Sequence, residues 1–318
     1  MTVMTIRQHT VPTPYMVGPV HFYSAEHEDG LVLFDTGPPT PEGEAALRGE
    51  VDLGRLRYAL ITHCHVDHYG LVNLLLKESA AEVLIPRSDA LKLRHHEERL
   101  ARISELLAGY GFDRAFREQL QESFERNRIF PEAPERFSIV EESDLPARLG
   151  IRFVSCPGHS QSDLVYLHGD SAISGDVLLR GIFQAPLLDL DLETFQGRFN
   201  NYRAYCRSLA DLGRLWGYRI LPGHREYLDG VDATILWYVR TLLQRAALVL
   251  PLRHLPVSEI AAQLFRGRIT DPFLIYLKVS EIVCMLDLIA QPDLLADALA
   301  GIGLLEPVAD CFAPLHRG

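Results

Sequence analysis

Short apolar runs, separated by glycine, proline and acidic residues, fill the first part of the chain. Residues 15–25 are rich in β-formers, Glu28-Asp29-Gly30 is a turn signal, and residues 31–34 form an apolar run that ends at Asp35-Thr36-Gly37. Two such runs across a turn predict a β-hairpin. Pro38, Pro39, Pro41 and Gly43 mark a loop, with helical character over 42–49. An apolar strand over 58–61 runs into Thr62-His63-Cys64-His65, and a helix over 70–77 and a strand over 81–85 follow. Strands alternating with helices predict a layered α/β architecture.

The period then changes. Residues 87–128 are charged and free of proline, with Leu91, Leu93, Leu100, Ile103, Leu106 and Leu107 at mostly helical spacing. This predicts a helical insertion of one or two hairpins, broken at Gly109-Tyr110-Gly111 and closed by Pro131 and Pro134. Short strands return over 137–140, 151–156, 164–168 and 172–174, then a helix over 201–212 and a last strand over 218–221. Beyond Gly230 the pattern is helical, with amphipathic stretches over 260–265, 274–288 and 294–302. The longest apolar run, 233–252, carries Arg240, Gln244 and Arg245 in its middle, which predicts an amphipathic helix and not a membrane span. The organisation expected is a site-bearing domain over 1–230, with the insertion at about 87–130, and a helical extension over 231–318.

Composition narrows the function classes. With 318 residues the chain has the length of about two average domains and can bury a large core without disulfides. Its formal charge of −11 disfavours broad nucleic-acid binding, which needs a basic surface. The cysteines number 5 and are widely spaced, and MTVMTIRQHT lacks the apolar core of a signal peptide, so a reducing, cytoplasmic location is expected.

The chemistry concentrates in His63-Cys64-His65-Val66-Asp67-His68, directly after a strand. Neutral imidazole and carboxylate both suit divalent ions of the zinc, manganese and iron type. On an extended segment His63 and His65 share one face and can chelate one ion, while Asp67 and His68, at the turn into a helix, can face a second. Alternation aims Cys64 away from both. His159, Asp176 and His224 also follow apolar strands, each directly after a glycine that permits close backbone approach.

In this order, His63-x-His65-x-Asp67-His68, then His159, Asp176 and His224, the chain resembles the metallo-β-lactamase superfamily of hydrolases, over about residues 15–228. The resemblance implies an αββα sandwich with a dinuclear metal site on its edge, here with a helical insertion and a helical C-terminal extension. It implies that His63, His65 and His159 hold one ion, that Asp67, His68 and His224 hold the other, and that Asp176 bridges them. Asp67 and Asp176 then stand as the catalytic carboxylates, and Asp35 as a supporting residue that ties the metal loop in place. Two divalent ions lower the pKa of a bridging water towards ~7, so that hydroxide exists at neutral pH and no serine or cysteine nucleophile is required. Zinc comes first among the candidate metals, with iron and manganese also compatible.

Within the superfamily, the size is near that of glyoxalase II, although its basic glutathione-binding residues are not found in the C-terminal helices. Those helices resemble the extension of the quinolone-signal response protein. The flavoprotein branch carries glutamate where His65 stands, and the sulfur dioxygenases use three ligands, so two metals are expected here. The leading expectation is hydrolysis of a small ester, thioester or lactone. An RNA or phosphodiester hydrolase and a regulatory protein with a nearly silent metal site are the alternatives. Arg225, Tyr110, Phe112 and Phe116 are the candidate substrate-binding residues, Arg225 for an anionic group and the aromatics as pocket walls under a lid formed by the insertion. The C-terminal helices offer a face for a homodimer.

Overall fold

The computed structural model describes residues 5–126, 129–130, 132–228 and 230–316. Two sheets face each other and each carries helices on its outer side, the αββα arrangement. The first sheet holds, in spatial and chain order, β1 (Ile6–Val11), β2 (Val20–His27), β3 (Gly30–Phe34), β4 (Leu56–Leu60), β5 (Glu82–Ile85) and β6 (Ser138–Ile139). β1, β2 and β3 pair antiparallel, and β3 through β6 pair parallel. The second sheet has the order β10 (Arg219–Pro222), β9 (Ser171–Gly175), β8 (Leu164–His168) and β7 (Arg152–Ser155), with β10 and β9 parallel.

Strand alternation explains the layers. Along β3, Val32 and Phe34 face the second sheet, where they meet Leu164, Tyr166, Ile173 and Leu221. Leu31 and Leu33 of the same strand face outward, under Leu47 of α1 (Pro41–Glu50) and Val72 and Leu75 of α3 (Val72–Glu78). Both faces of the strand are covered, so it reads as a continuous apolar run.

Behind the second sheet lies the largest core. Val165, Leu167 and Ile220 pack there with α8 (Asn201–Leu212). The insertion joins them through α5 (His96–Gly109) and α6 (Arg114–Arg126), which follow α4 (Arg87–Arg94) and precede the one-turn α7 (Leu145–Arg148). So do the C-terminal helices α9 (Val231–Val249), α10 (Val257–Phe265), α11 (Pro272–Ala290) and α12 (Pro292–Gly301), with the short α13 (Ala313–His316) after them. Insertion and extension thus share one core on the same side of the sandwich. By length and composition Val231–Leu252 suffices to cross a bilayer. Its Ile235, Val239, Leu242 and Ala246 are nevertheless buried in this shared core.

Several expected boundaries move. The strand expected over 15–25 begins at Val20, because Pro12, Pro14, Pro19 and Gly18 (φ 91°) shape a loop. β1, whose apolar and polar residues are mixed, lies outside the expected elements. The insertion is three helices, with the break at 109–111 in the expected place. Its end at Arg128 and the closing Pro131 lie outside the described residues, as do residues 1–4, 229 and 317–318 of the expected domains.

Candidate metal centre

The centre is assembled at one edge of the two sheets. Past β4 the chain bends at Thr62 and runs through His63 and Cys64 to His65, whose backbone is extended and which precedes the first turn of α2 (Val66–Tyr69). Asp67 and His68 therefore sit on a helix start, while His63 and His65 sit on the segment before it. His159 comes from the loop between β7 and β8, Asp176 from the end of β9, and His224 from the end of β10. Glycine before the last two is a spatial requirement. A Cβ on Gly175 (φ 47°) would lie 2.6 Å from Thr62 Oγ1, and one on Gly223 would lie 2.6 Å from His68 Cε1 and 2.7 Å from Asp176 Oδ1.

All seven expected ligand residues converge. His159 Nε2 stands 3.0 Å from His65 Nδ1, and the His63 and His65 rings are 4.4 Å apart between centroids. Asp176 turns Oδ2 towards His159 Nε2 (3.7 Å) and Oδ1 towards His68 Nε2 (3.3 Å) and His224 Nε2 (3.5 Å). Asp67 Oδ2 lies 3.3 Å from His224 Nε2. Among the described residues, three overlapping groups bring ligand atoms within 4.8 Å of one another: His63, His65 and His159; His63, His68 and Asp176; Asp67, His68 and His224.

The far sides of four of the five rings are tied. His68 Nδ1 donates to Asp35 Oδ2 (2.9 Å), His224 Nδ1 to the Pro19 carbonyl (2.8 Å) and His159 Nδ1 to the Ala185 carbonyl (2.8 Å). Asp35 also accepts from the Thr62 backbone N–H (2.8 Å) and from Thr62 Oγ1, whose oxygen lies 3.1 Å from His63 Nδ1. Asp35 itself holds a positive φ of 61° just after β3. Such ties fix the tautomer that leaves Nε2 with a lone pair facing inward.

The facing atoms fit a metal. His63 Nε2, His68 Nε2, His224 Nε2 and Asp176 Oδ1 are buried and have no hydrogen-bond partner. Buried polar atoms in folded proteins are almost always paired, and here four unpaired ones surround one point. Burial, aided by the neighbouring imidazoles, holds His63 and His65 well below the ordinary histidine value. Burial would also lower His68 and His224, but Asp176 and Asp67 reverse it and raise both. Asp67 and Asp176 are likewise lowered, because His68 and His224 outweigh their burial. The two carboxylates thus call for positive charge, which divalent ions supply. The set of five imidazoles and two carboxylates has borderline donor chemistry, suited to zinc, iron or manganese.

A family model described as the metallo-beta-lactamase superfamily matches residues 15–224, ending on the last of these histidines. The chain belongs to this superfamily. A probable metallo-hydrolase, YqjP of Bacillus subtilis strain 168, is 29% identical over 254 residues, spanning 74% of this chain and 76% of that protein. A metallo-beta-lactamase family protein from Thermus thermophilus superposes with a TM-score of 0.69 at 20% identity, covering 91% of this chain and 94% of its own. A beta-lactamase domain protein from Burkholderia ambifaria does so with 0.69 and 20%, covering 90% and 87%. The fold shared with these two includes C-terminal helices as well as the sandwich.

Against this superfamily frame, the expected substrate contacts divide. Tyr110, Phe112 and Phe116 stand at the turn from α5 to α6, half-buried against the shared core, with the two phenylalanine rings 4.6 Å apart. The Tyr110 carbonyl accepts from the Ser258 N–H of α10, and a Cβ on Gly111 would strike Ser258 and Pro256. α5 meets the loop over the centre at its other end, where Arg99 pairs with Asp189 (2.7 Å). The aromatic turn therefore joins insertion to extension, and its Tyr110 side chain also meets Arg198 of that same loop. Arg225 is exposed beside His224 with φ 67°, and its carbonyl accepts from His21 Nε2 (2.6 Å). Glu226 pairs with Arg180 (3.2 Å), not with Arg225. Cys64 is buried in the core outside the first sheet, facing away from the imidazoles on either side of it.

Tyr15 was hidden inside the expected strand. It lies in the β1–β2 loop, and burial and then the Asp67 carboxylate push its phenol up to about 12. The loop's Pro19 carbonyl also anchors His224, so this proline-rich turn forms part of the wall. No sequence signal beyond its prolines marks it.

Proposed function

We propose that this metallo-hydrolase superfamily member is a dinuclear hydrolase of a small acyl ester, thioester or lactone. The observation that carries the reading is the convergence of four unpartnered buried ligand atoms with two carboxylates that demand cations. His63, His65 and His159 would hold one ion, Asp67, His68 and His224 the other, and Asp176 would bridge them, one carboxylate oxygen towards each group. When bound, such a pair supplies a water activated near neutral pH and an electrophile for the substrate carbonyl oxygen.

The chain's own residues do the rest. Asp35, Pro19 and Ala185 hold the rings so that their lone pairs face inward. Asp176 and Asp67, kept ionised by the surrounding imidazoles, set the charge of the centre. Tyr15, kept protonated by burial and by Asp67, adds a neutral phenol within the field of the centre. Exposed Arg225, next to His224, supplies a positive charge for an anionic substrate group. The acidic total charge of −11 fits a small substrate better than a nucleic acid. All 5 cysteines are free, in keeping with a reducing, cytoplasmic setting.

The test is elemental analysis together with a panel of esters, thioesters, lactones and phosphodiesters. Two divalent ions per chain and turnover of an acyl substrate, reduced at least about 100-fold in Asp176→Asn, are expected. Asp176→Asn with full metal content and full rate would remove the bridge from the account. Turnover of phosphodiesters alone would overturn the acyl class.

A further inference from the structure

The two groups of ligands are secured by different parts of the chain. His68 and His224 are held from within the sandwich, by Asp35 after β3 and by the Pro19 carbonyl before β2. His63 is reached from Asp35 only through Thr62 Oγ1, and the His65 ring meets His159 Nε2 and not an anchoring oxygen. The sandwich's last backbone tie on this segment is the Thr62 carbonyl, which accepts from Leu164 N–H (3.0 Å), and α2 begins only after His65. Cys64 lies between the two histidines, and its N–H, in the peptide from His63, and its carbonyl, in the peptide to His65, are both taken by α4 of the insertion. Its N–H donates to Asp89 Oδ2 (2.6 Å), and its carbonyl accepts from Lys92 Nζ (3.0 Å). Asp89 Oδ1 and Lys92 Nζ are themselves 2.6 Å apart, with Asp89 1% and Lys92 8% exposed.

Stability explains this pair poorly. Desolvating two charges costs several kcal/mol per ion by general estimates, and apolar replacements of buried ion pairs are often neutral or stabilising. Geometry explains it better. A carboxylate that holds the His63–Cys64 peptide and an ammonium that holds the Cys64–His65 peptide fix both planes. Those planes set the direction in which the side chains on either side of Cys64 leave the backbone.

We propose that the buried Asp89–Lys92 pair positions His63 and His65, and so governs the ion held with His159 selectively over the one held by Asp67, His68 and His224. The insertion is then an arm that completes one half of the centre. Asp89 and Lys92 are positioning residues that act through the two peptides flanking Cys64 and touch neither ion.

The inference rests on the dinuclear reading, and the experiment separates the two. Full-length wild type, Asp89→Asn/Lys92→Met and Asp89→Glu are titrated with cobalt(II) and with zinc against a competing chelator, and each is melted in excess chelator. The double variant removes both charges together and so avoids an unpaired buried ion. Asp89→Glu keeps the pair but displaces the acceptor by one methylene, so it carries the test if the double variant does not fold. Wild type should bind two ions. Each folded variant should keep one at wild-type affinity and bind the other 10- to 100-fold more weakly, about the loss seen when outer-shell partners are removed. Two ions bound at wild-type affinities, or both weakened alike, would overturn the selective role. A wild type that binds no ion would overturn the dinuclear reading, and this inference with it.

Discussion

Replacing Asp35 by asparagine tests the electrostatic wiring of the centre at one atom. Asp35 is 2% exposed, and its carboxylate accepts from Thr62 N–H, from Thr62 Oγ1 and from His68 Nδ1. An amide of the same shape has one accepting oxygen. If that oxygen stays with the Thr62 N–H at 2.8 Å, the amide N–H₂ faces His68 Nδ1. The imidazole must then carry its proton on Nε2, the atom that is unpartnered and turned to the centre. The loss is one hydrogen bond to a charged acceptor, about 1.5–3 kcal/mol. At 1.4 kcal/mol per tenfold, that is roughly 10- to 150-fold in affinity for the ion that His68 holds. In excess chelator the same loss should lower Tm by about 3–12 °C, at 2–4 °C per kcal/mol. The assay is a competition titration, paired with nitrogen-detected NMR of the His68 tautomer. Wild-type affinity in Asp35→Asn, with Nε2 still unprotonated, would refute the reasoning.

Three further outcomes are expected. Arg225→Gly relieves a left-handed backbone that costs an arginine about 1–2 kcal/mol, so thermal unfolding should show a small gain in stability while kcat/KM falls for anionic substrates and holds for neutral ones; unchanged anionic selectivity would remove Arg225 from substrate binding. Phe116→Ala should cost about 1–3 kcal/mol, somewhat below a fully buried phenylalanine, with metal content and KM unchanged; a changed KM would return the aromatic turn to the substrate site. The metal-free protein should also show opposed pH limbs. Burial keeps His63 and His65 below 6.5, so their contribution is full above that value and is lost as pH falls; His68 and His224 are raised by Asp176 and Asp67 against their burial, so theirs is full below 6.5 and is lost as pH rises. In Tm profiles, His65→Gln should flatten the acid limb and His68→Gln the alkaline one, and the reverse assignment would contradict the electrostatics.

What the sequence makes legible, and what it hides, follows from the range of each interaction. The hairpin of β2 and β3 and the helix over 201–212 are local patterns, and both are readable from turn residues and apolar spacing. The seven candidate ligand residues are readable because they fall in the turns and loops that follow strands, where the chain itself announces a change of direction. The supporting contacts are not readable. Asp89 and Lys92 sit three residues apart on a charged helix, the usual mark of a solvated face, yet both are buried against the backbone of Cys64, 25 and 28 residues away. Pro19 and Ala185 contribute only carbonyl oxygens, which no side-chain pattern encodes. Apolar spacing alone does not say which helix Tyr110, Phe112 and Phe116 meet, and α10, whose Ser258 N–H binds the Tyr110 carbonyl, lies far along the chain, beyond the whole second sheet.

The most direct test is a crystal grown with zinc and measured at the metal's absorption edge. Two anomalous peaks are predicted. One should lie about 2.0–2.2 Å from nitrogens of His63, His65 and His159, and the other at similar distances from Asp67, His68 and His224, with one Asp176 oxygen on each. A single peak, or Asp176 bound to neither ion, would contradict the bridged pair on which the account stands.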